Sequence, residues 1–166
     1  MGSNNSTPNV NPGVTKKIVV IGFSYAGQGI IDAICKADTT KSCSITVIDK
    51  SDHFEHIPNQ FESFTDKDVF KNQNTISFDK MANSFNHFLG GRFEFKQARL
   101  TEVMHAENKV SICDIDGKTE TLDYDVLCVC TGANYVGPWR AAADKCDTLA
   151  ERNDEFNEVR EAIGSA

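Results

Sequence analysis

Apolar and polar positions alternate along this chain in three different rhythms. Ile18, Val19, Val20 and Ile21 form one unbroken β-branched run, and Ile45, Thr46, Val47 and Ile48 form a second. Short runs of this kind predict strands covered on both faces. Between them, Ile30, Ile31 and Ile34 recur at helical spacing, which predicts a helix over 27–37 with these three residues inward. Two strands joined by a helix make a right-handed parallel crossover. Residues 51–91 show no strand pattern, only Phe54, Phe61, Phe64, Phe70, Phe78, Phe85 and Phe88 among polar neighbours. Short helices and loops covering a ligand are expected there.

From residue 92 the rhythm changes to strict alternation, over 93–96, 100–103, 109–113 and 119–122, with Asp116 and Gly117 as a hairpin turn. This predicts an antiparallel meander where a crossover helix would otherwise stand. Residues 124–133 then form a continuous apolar strand suited to burial on both faces, leaving the sheet at Thr131 and Gly132. Finally, Thr148 and Glu151 match a capping box, and Leu149, Phe156, Val159 and Ile163 share a helical stripe. That stripe must pack against something. The fold class expected is α/β, a Rossmann-like parallel sheet with a β-meander crossover.

The turn after the first strand carries the candidate chemistry. Gly22 lets the chain turn off the strand, Ser24 is small enough for backbone to approach a pyrophosphate, and Gly27 allows close helix packing. Serine stands where the pattern G-x-G-x-x-G has its middle glycine. A bound anion would sit on the helix N-terminus. Asp49, closing the second strand, is placed to accept hydrogen bonds from ribose hydroxyls.

Composition narrows the class. The 40% apolar content suits one globular domain over 16–166, preceded by a flexible arm over 1–15 rich in Asn, Ser, Pro and Gly. A net charge of -7 argues against nucleic-acid binding and against a polybasic membrane patch. No apolar run approaches the ~20 residues of a membrane span, so a cytoplasmic protein is expected. Six cysteines (Cys35, Cys43, Cys113, Cys128, Cys130, Cys146) offer neither a C-x-x-C pair nor metal-ligand spacing, and no metal is expected. Cys128 and Cys130 would point to one face of a strand as small hydrophobes. Gly2, with Ser6, fits the N-myristoylation pattern; one such chain alone gives marginal, peripheral membrane association.

Two other functional classes compete. Residues 22–26 approach a nucleophile elbow around Ser24, a remote serine-hydrolase alternative, but the fifth position is Ala26 and His53, His56, His87 and His105 lack an acid-base setting. A non-catalytic nucleotide-binding or interaction module is the stronger competitor.

The order of parts resembles the N-terminal, FAD-binding portion of the pyridine nucleotide-disulfide oxidoreductase class of flavoproteins. Within it, the chain is most similar to the apoptosis-inducing-factor-like and ferroptosis-suppressor family. The turn over 22–27, the segment over 49–54, the meander, residues 131–139 and the N-terminal Gly2 motif carry the likeness. The resemblance implies FAD as electron carrier between NAD(P)H and a quinone. It further implies that Gly22, Phe23, Ser24, Tyr25, Ala26 and Gly27 line the pyrophosphate, Asp49 with Lys50 beside it holds the ribose, the backbone at Ala98 contacts adenine, and Thr131 and Gly132 approach the flavin. Two departures stand out. Glu62 follows His56 and Pro58 where the family often has a basic residue, and the dithiol C-x-x-x-x-C pair is missing. The family's NAD(P)H-binding domain has no counterpart in these residues, so turnover is expected to need a missing half.

Overall fold

The β-branched run of the first strand sends alternate side chains to opposite faces of a sheet, and two cores form around it. The computed structural model describes residues 16–133 and 147–165; the 1–15 arm, Gly2, Cys146 and residues 134–139 lie outside the described residues. Strand β1 (Lys16–Ile21) pairs in parallel with β2 (Cys43–Asp49) on one side and with β8 (Val126–Val129) on the other. Ile18 and Val20 face one core with Ile31, Ile45 and Val47; Val19 and Ile21 face the other with Ile48, Val110 and Ile112. Both faces of the central strands are covered, as unbroken apolar runs require.

Helix α1 (Tyr25–Ala37) makes the crossover from β1 to β2. Ile31 is buried in it, while Ile30 and Ile34 are half-buried. Two short strands, β3 (His53–Glu55) and β4 (Thr75–Ser77), pair antiparallel in the 51–91 region, flanking α2 (Gln60–Ser63) and α3 (Lys67–Gln73). Helix α4 (Phe78–Leu89) follows, burying Phe78, Ala82 and Leu89 against the first core. The region is therefore more regular than its sequence suggested. Phe78, Met81, Phe85 and Leu89 do recur at helical spacing, masked by the neighbouring aromatics.

Strand β5 (Phe93–Met104) is one twelve-residue strand where two pieces were expected. Phe93 to Gln97 pair in parallel with β2, and from Ala98 onward the strand pairs antiparallel with β6 (Lys109–Asp114). It changes partner where β2 ends, since Asp49 pairs with Gln97 and Ala98 pairs with Asp114. The β6–β7 hairpin follows as predicted, with β7 at Thr119–Asp123. Asp114 builds its turn by accepting hydrogen bonds from the N–H groups of Asp116 and Lys118 at 3.0 and 2.8 Å. The sheet order is β7-β6-β5-β2-β1-β8. The meander expectation holds; the both-face burial of β8 does not. Val126 and Val129 are 41% and 61% exposed, because β1 is the only strand paired with β8 among the described residues. Cys128 and Cys130 do pack on the first core.

Helix α5 (Leu149–Gly164) begins with the predicted capping box between Thr148 and Glu151. Its apolar face docks within this domain, Phe156 lying against Phe70 and Phe64 at 4.2 and 4.9 Å between ring centroids. Ile163 is exposed, so the stripe ends one turn sooner than its periodicity implied.

Gly27 shows how tightly α1 approaches the turn. A Cβ there would lie 2.0 Å from the Gly22 carbonyl oxygen, and that oxygen belongs to backbone that cannot yield cheaply. Gly27→Ala is expected to destabilise the fold by more than about 2 kcal/mol, measured by urea denaturation. A loss under about 0.5 kcal/mol would show that the contact relaxes without strain.

Candidate functional site

A cleft of about 450 Å³ opens where the parallel strands end. Its walls come from four places in the chain: Gly22 and Ser24 after β1, residues 48–51 closing β2, Ala98, Arg99 and Leu100 on β5, and Cys130 to Ala133 after β8. His53, Phe54, Glu55 and Phe78 close the remaining side. This is the carboxyl end of an open α/β sheet, where ligands of such folds sit.

The turn is held from two directions. The Gly22 N–H donates to the Ile48 carbonyl and the Cys130 N–H donates to the Ile21 carbonyl, each at 2.7 Å. Gly22 has φ +100°, and a Cβ there would lie 2.4 Å from the Cys130 carbonyl oxygen, so glycine is required twice over. Asp49 then reaches across: one carboxylate oxygen accepts from the Phe23 N–H at 2.7 Å and the other from the Ser51 N–H at 3.0 Å. Burial pushes the Asp49 carboxyl above its usual value, partly offset by these two bonds.

Of the residues expected at a cofactor, Gly22, Ser24, Asp49, Lys50, Ala98, Thr131 and Gly132 all line this cleft. Phe23, Tyr25, Ala26 and Gly27 do not. The Phe23 ring is buried in an aromatic cluster with Phe78, Phe93 and Phe95, and its N–H is taken by Asp49, which removes Phe23 as an anion donor. Tyr25 points outward, edge-on to Phe54 at 5.0 Å. Gly27 is a packing residue. The backbone amides of residues 25–27 nevertheless open the first turn of α1, where N–H groups lack an intrahelical partner. Ser24 caps this helix without a side-chain hydrogen bond and itself lines the cleft.

The cleft wall also holds a polar network that local sequence patterns did not reveal. His53 is buried, with Nδ1 2.7 Å from Asp52 Oδ1 and Nε2 3.2 Å from Glu55 Oε1. Glu55 accepts from Arg152 Nε at 2.8 Å and from Gln60 Nε2 at 2.6 Å. Arg152, 1% exposed, also pairs with Glu155 and lies over the Phe156 ring. Burial opposes the charged form of His53, but its bonds to Glu55 and Asp52 outweigh that and raise its pKa. Burial likewise disfavours ionised Glu55, but bonds from His53 and Arg152 hold its pKa below the usual carboxylate range. With both ring nitrogens on carboxylates, His53 has no acceptor nitrogen to offer Ser24, which removes the basis for a serine-hydrolase site here.

No protein-family profile matches this sequence, and no curated protein matches it. Solved structures do. Sulfide:quinone oxidoreductase from the hyperthermophilic bacterium Aquifex aeolicus superposes with a TM-score of 0.63 at 20% identity, over 91% of this chain and 32% of that one. NDH2 from Plasmodium falciparum, solved with NADH, gives 0.58 at 20% identity over 88% and 28%. An NAD-dependent persulfide reductase from A. fulgidus gives 0.60 at 20% identity over 88% and 27%. The chain thus spans about a third of the length of the structures it matches. At this identity the likeness establishes the fold alone: a Rossmann-like α/β architecture. No helix among the described residues is long and apolar enough to cross a membrane.

The His53 linkage has a definite sign. Its raised folded-state pKa contributes stability in full below the ordinary value of 6.5, and that stability is lost as pH rises through the raised value. The melting temperature should fall between about pH 6 and about pH 9 by more in the wild type than in His53→Gln. The groups other than His53 are common to both proteins, so the difference isolates His53; parallel curves would contradict it. Breaking the Glu55 pair by Arg152→Met should cost about 3–5 kcal/mol, and adding Glu55→Gln should recover part of that loss in denaturant unfolding. No recovery in the double variant would mean that Arg152 acts through packing alone.

Proposed function

We propose that this chain forms the FAD-binding portion of an NAD(P)H-dependent oxidoreductase of the quinone-reductase type. The observation that carries the reading is the convergence of Gly22 and the α1 N-cap Ser24, Asp49, Ala98 and the Thr131-Gly132 exit on one cleft at the carboxyl end of the parallel strands. The donor set suits a dinucleotide. Amides at the start of α1 would receive the pyrophosphate, and the partly satisfied Asp49 carboxylate retains lone pairs for ribose hydroxyls. Ala98, where β5 leaves β2, offers backbone and a small side chain to a flat base, and Thr131 offers a hydroxyl beside Gly132.

Bound FAD would supply two-electron chemistry between a nicotinamide donor and a quinone-class acceptor. The likeness to a sulfide:quinone oxidoreductase and to NDH2 solved with NADH supports that assignment. The chain's own contribution is to bind and orient: the Asp49 clamp keeps the turn open to a phosphate, and the buried His53-Glu55-Arg152 network keeps the facing wall rigid. None of the five described cysteines is disulfide-bonded, and burial raises the thiol pKa of Cys35, Cys43 and Cys130. The nicotinamide site is assigned to a further domain or partner, and the apoptosis-inducing-factor-like subgroup and Gly2 acylation belong to the same proposal.

The test is reconstitution of the purified chain with FAD, removal of excess, and a visible spectrum. Stoichiometric flavin absorbance near ~450 nm is expected, with Asp49→Ala weakening FAD affinity about 10–100-fold. A folded but colourless protein would overturn the reading and favour a non-catalytic module.

A further inference from the structure

We propose that His53 is a proton-operated latch for helix α5: the doubly protonated ring holds the first turn of α5 against β3, and loss of its proton releases that helix and the cleft wall it supports. The device needs no particular occupant of the cleft, so it stands apart from the nucleotide-binding reading above.

The two carboxylates that grip the His53 ring also grip α5. Asp52 Oδ1 lies 2.7 Å from His53 Nδ1 and accepts the N–H of Leu149, the first residue of α5, at 2.8 Å. Glu55 Oε1 lies 3.2 Å from His53 Nε2 and accepts from Arg152 Nε, in the first turn of that helix, at 2.8 Å. Each oxygen is shared between ring and helix. A ring that donates from both nitrogens satisfies the pair, whereas a neutral imidazole turns one bare nitrogen toward a carboxylate.

Charge decides the outcome. Helix α5 brings Arg152 and Glu155 to the cluster, β3 and the residue before it bring Glu55 and Asp52, α2 brings the neutral Gln60, and β4 places Ser77 opposite His53 in register. On the cleft side, Asp49, Lys50 and Arg99 line the same space as His53 and Glu55. With the ring charged, His53 and Arg152 together face Asp52, Glu55 and Glu155; once the proton leaves, Arg152 faces these three carboxylates without the imidazolium. Burial makes that imbalance costly, since the Arg152 and His53 side chains are each 1% exposed. The bonds to Glu55 and Asp52 raise the His53 pKa despite burial. The docked state therefore binds the proton more tightly than a released one, and docking weakens as pH rises through the raised value.

Helix α5 is also an element free to move without breaking the sheet. It rests through Phe156 on Phe64 and Phe70, in a small core separate from the two that flank the sheet, with a tie from Arg160 to the Ser63 carbonyl. Its start is coupled to the cleft. Asp147, two residues before Leu149, bridges to Ser51, and its carboxylate accepts from Ser51 Oγ at 2.9 Å and from Lys50 Nζ at 3.2 Å. Lys50, Ser51, His53 and Glu55 all line the cleft, so releasing the first turn of α5 loosens that wall.

The test follows the full chain between about pH 6 and about pH 9, reading the His53 ring by NMR and the amides by hydrogen exchange, expressed as protection factors so that the intrinsic pH dependence of exchange cancels. Protection over residues 153–163 should fall at least about tenfold relative to the β1 and β2 amides, with the midpoint of the His53 titration, and the amides of residues 50–52 should follow. Asp52→Asn keeps an acceptor for Leu149 but removes one carboxylate charge from the ring; it should move the His53 and α5 midpoints together to lower pH, which a purely structural role would not do. His53→Gln should make the ratio of α5 to sheet protection independent of pH, and Asp52→Asn decides the matter if that variant fails to fold. Protection of α5 and the sheet falling in parallel, a His53 ring that stays charged across the range, or an α5 midpoint unmoved in Asp52→Asn overturns the latch.

Discussion

The hydrogen bond from the Phe23 N–H to Asp49 is the constraint on which the cleft depends. It ties the turn after β1 to the end of β2, and it works only because Gly22 and Gly27 let three backbone segments approach without side chains between them. Once that clamp is closed, Gly22 and Ser24 line the space beyond the strand ends. Phe23 is turned inward to anchor the aromatic core at the same time. Core packing and site geometry therefore share a residue, and a change at either end is felt at the other.

The second organising feature is polar and buried. Asp52, His53 and Glu55 on one side meet Leu149 and Arg152 on the other, and Asp147 joins the loop directly before them. Helix α5 is held by Phe156 among Phe64 and Phe70, but its rotational position follows from charge pairs that tolerate little displacement. Such a network adds little net stability relative to an apolar alternative, yet it is expensive to leave half-made. What it provides here is a wall of the cleft whose groups cannot wander.

How much of this was legible in the sequence follows from the range of each interaction. Strands β1 and β2 and the hairpin at Asp116 announce themselves through neighbouring residues, and Gly22, Ser24 and Asp49 stood out by their spacing around the first crossover, although Asp49 acts on Phe23 and Gly22 packs on Cys130 far along the chain. The α4 helix was overlooked because aromatic residues at non-helical positions obscured the spacing of Phe78, Met81, Phe85 and Leu89. Arg152 and Asp147 could not be seen at all: their partners lie about a hundred positions away, and hydrophobic periodicity reports which face is buried without naming a charge partner. The capping box at Thr148 located the helix but said nothing of the arginine inside it. Strand β8 failed for a related reason, since an apolar run does not encode how many strands flank it.

The most direct measurement is an NMR titration of the isotope-labelled chain with FAD, following backbone amide shifts. The account predicts the largest changes in the amides of residues 24–27, 49–51, 98–99 and 131–132, with the meander tip around Asp116 unmoved. Shifts centred elsewhere, or none at saturating FAD in a folded protein, would contradict the assignment of this cleft.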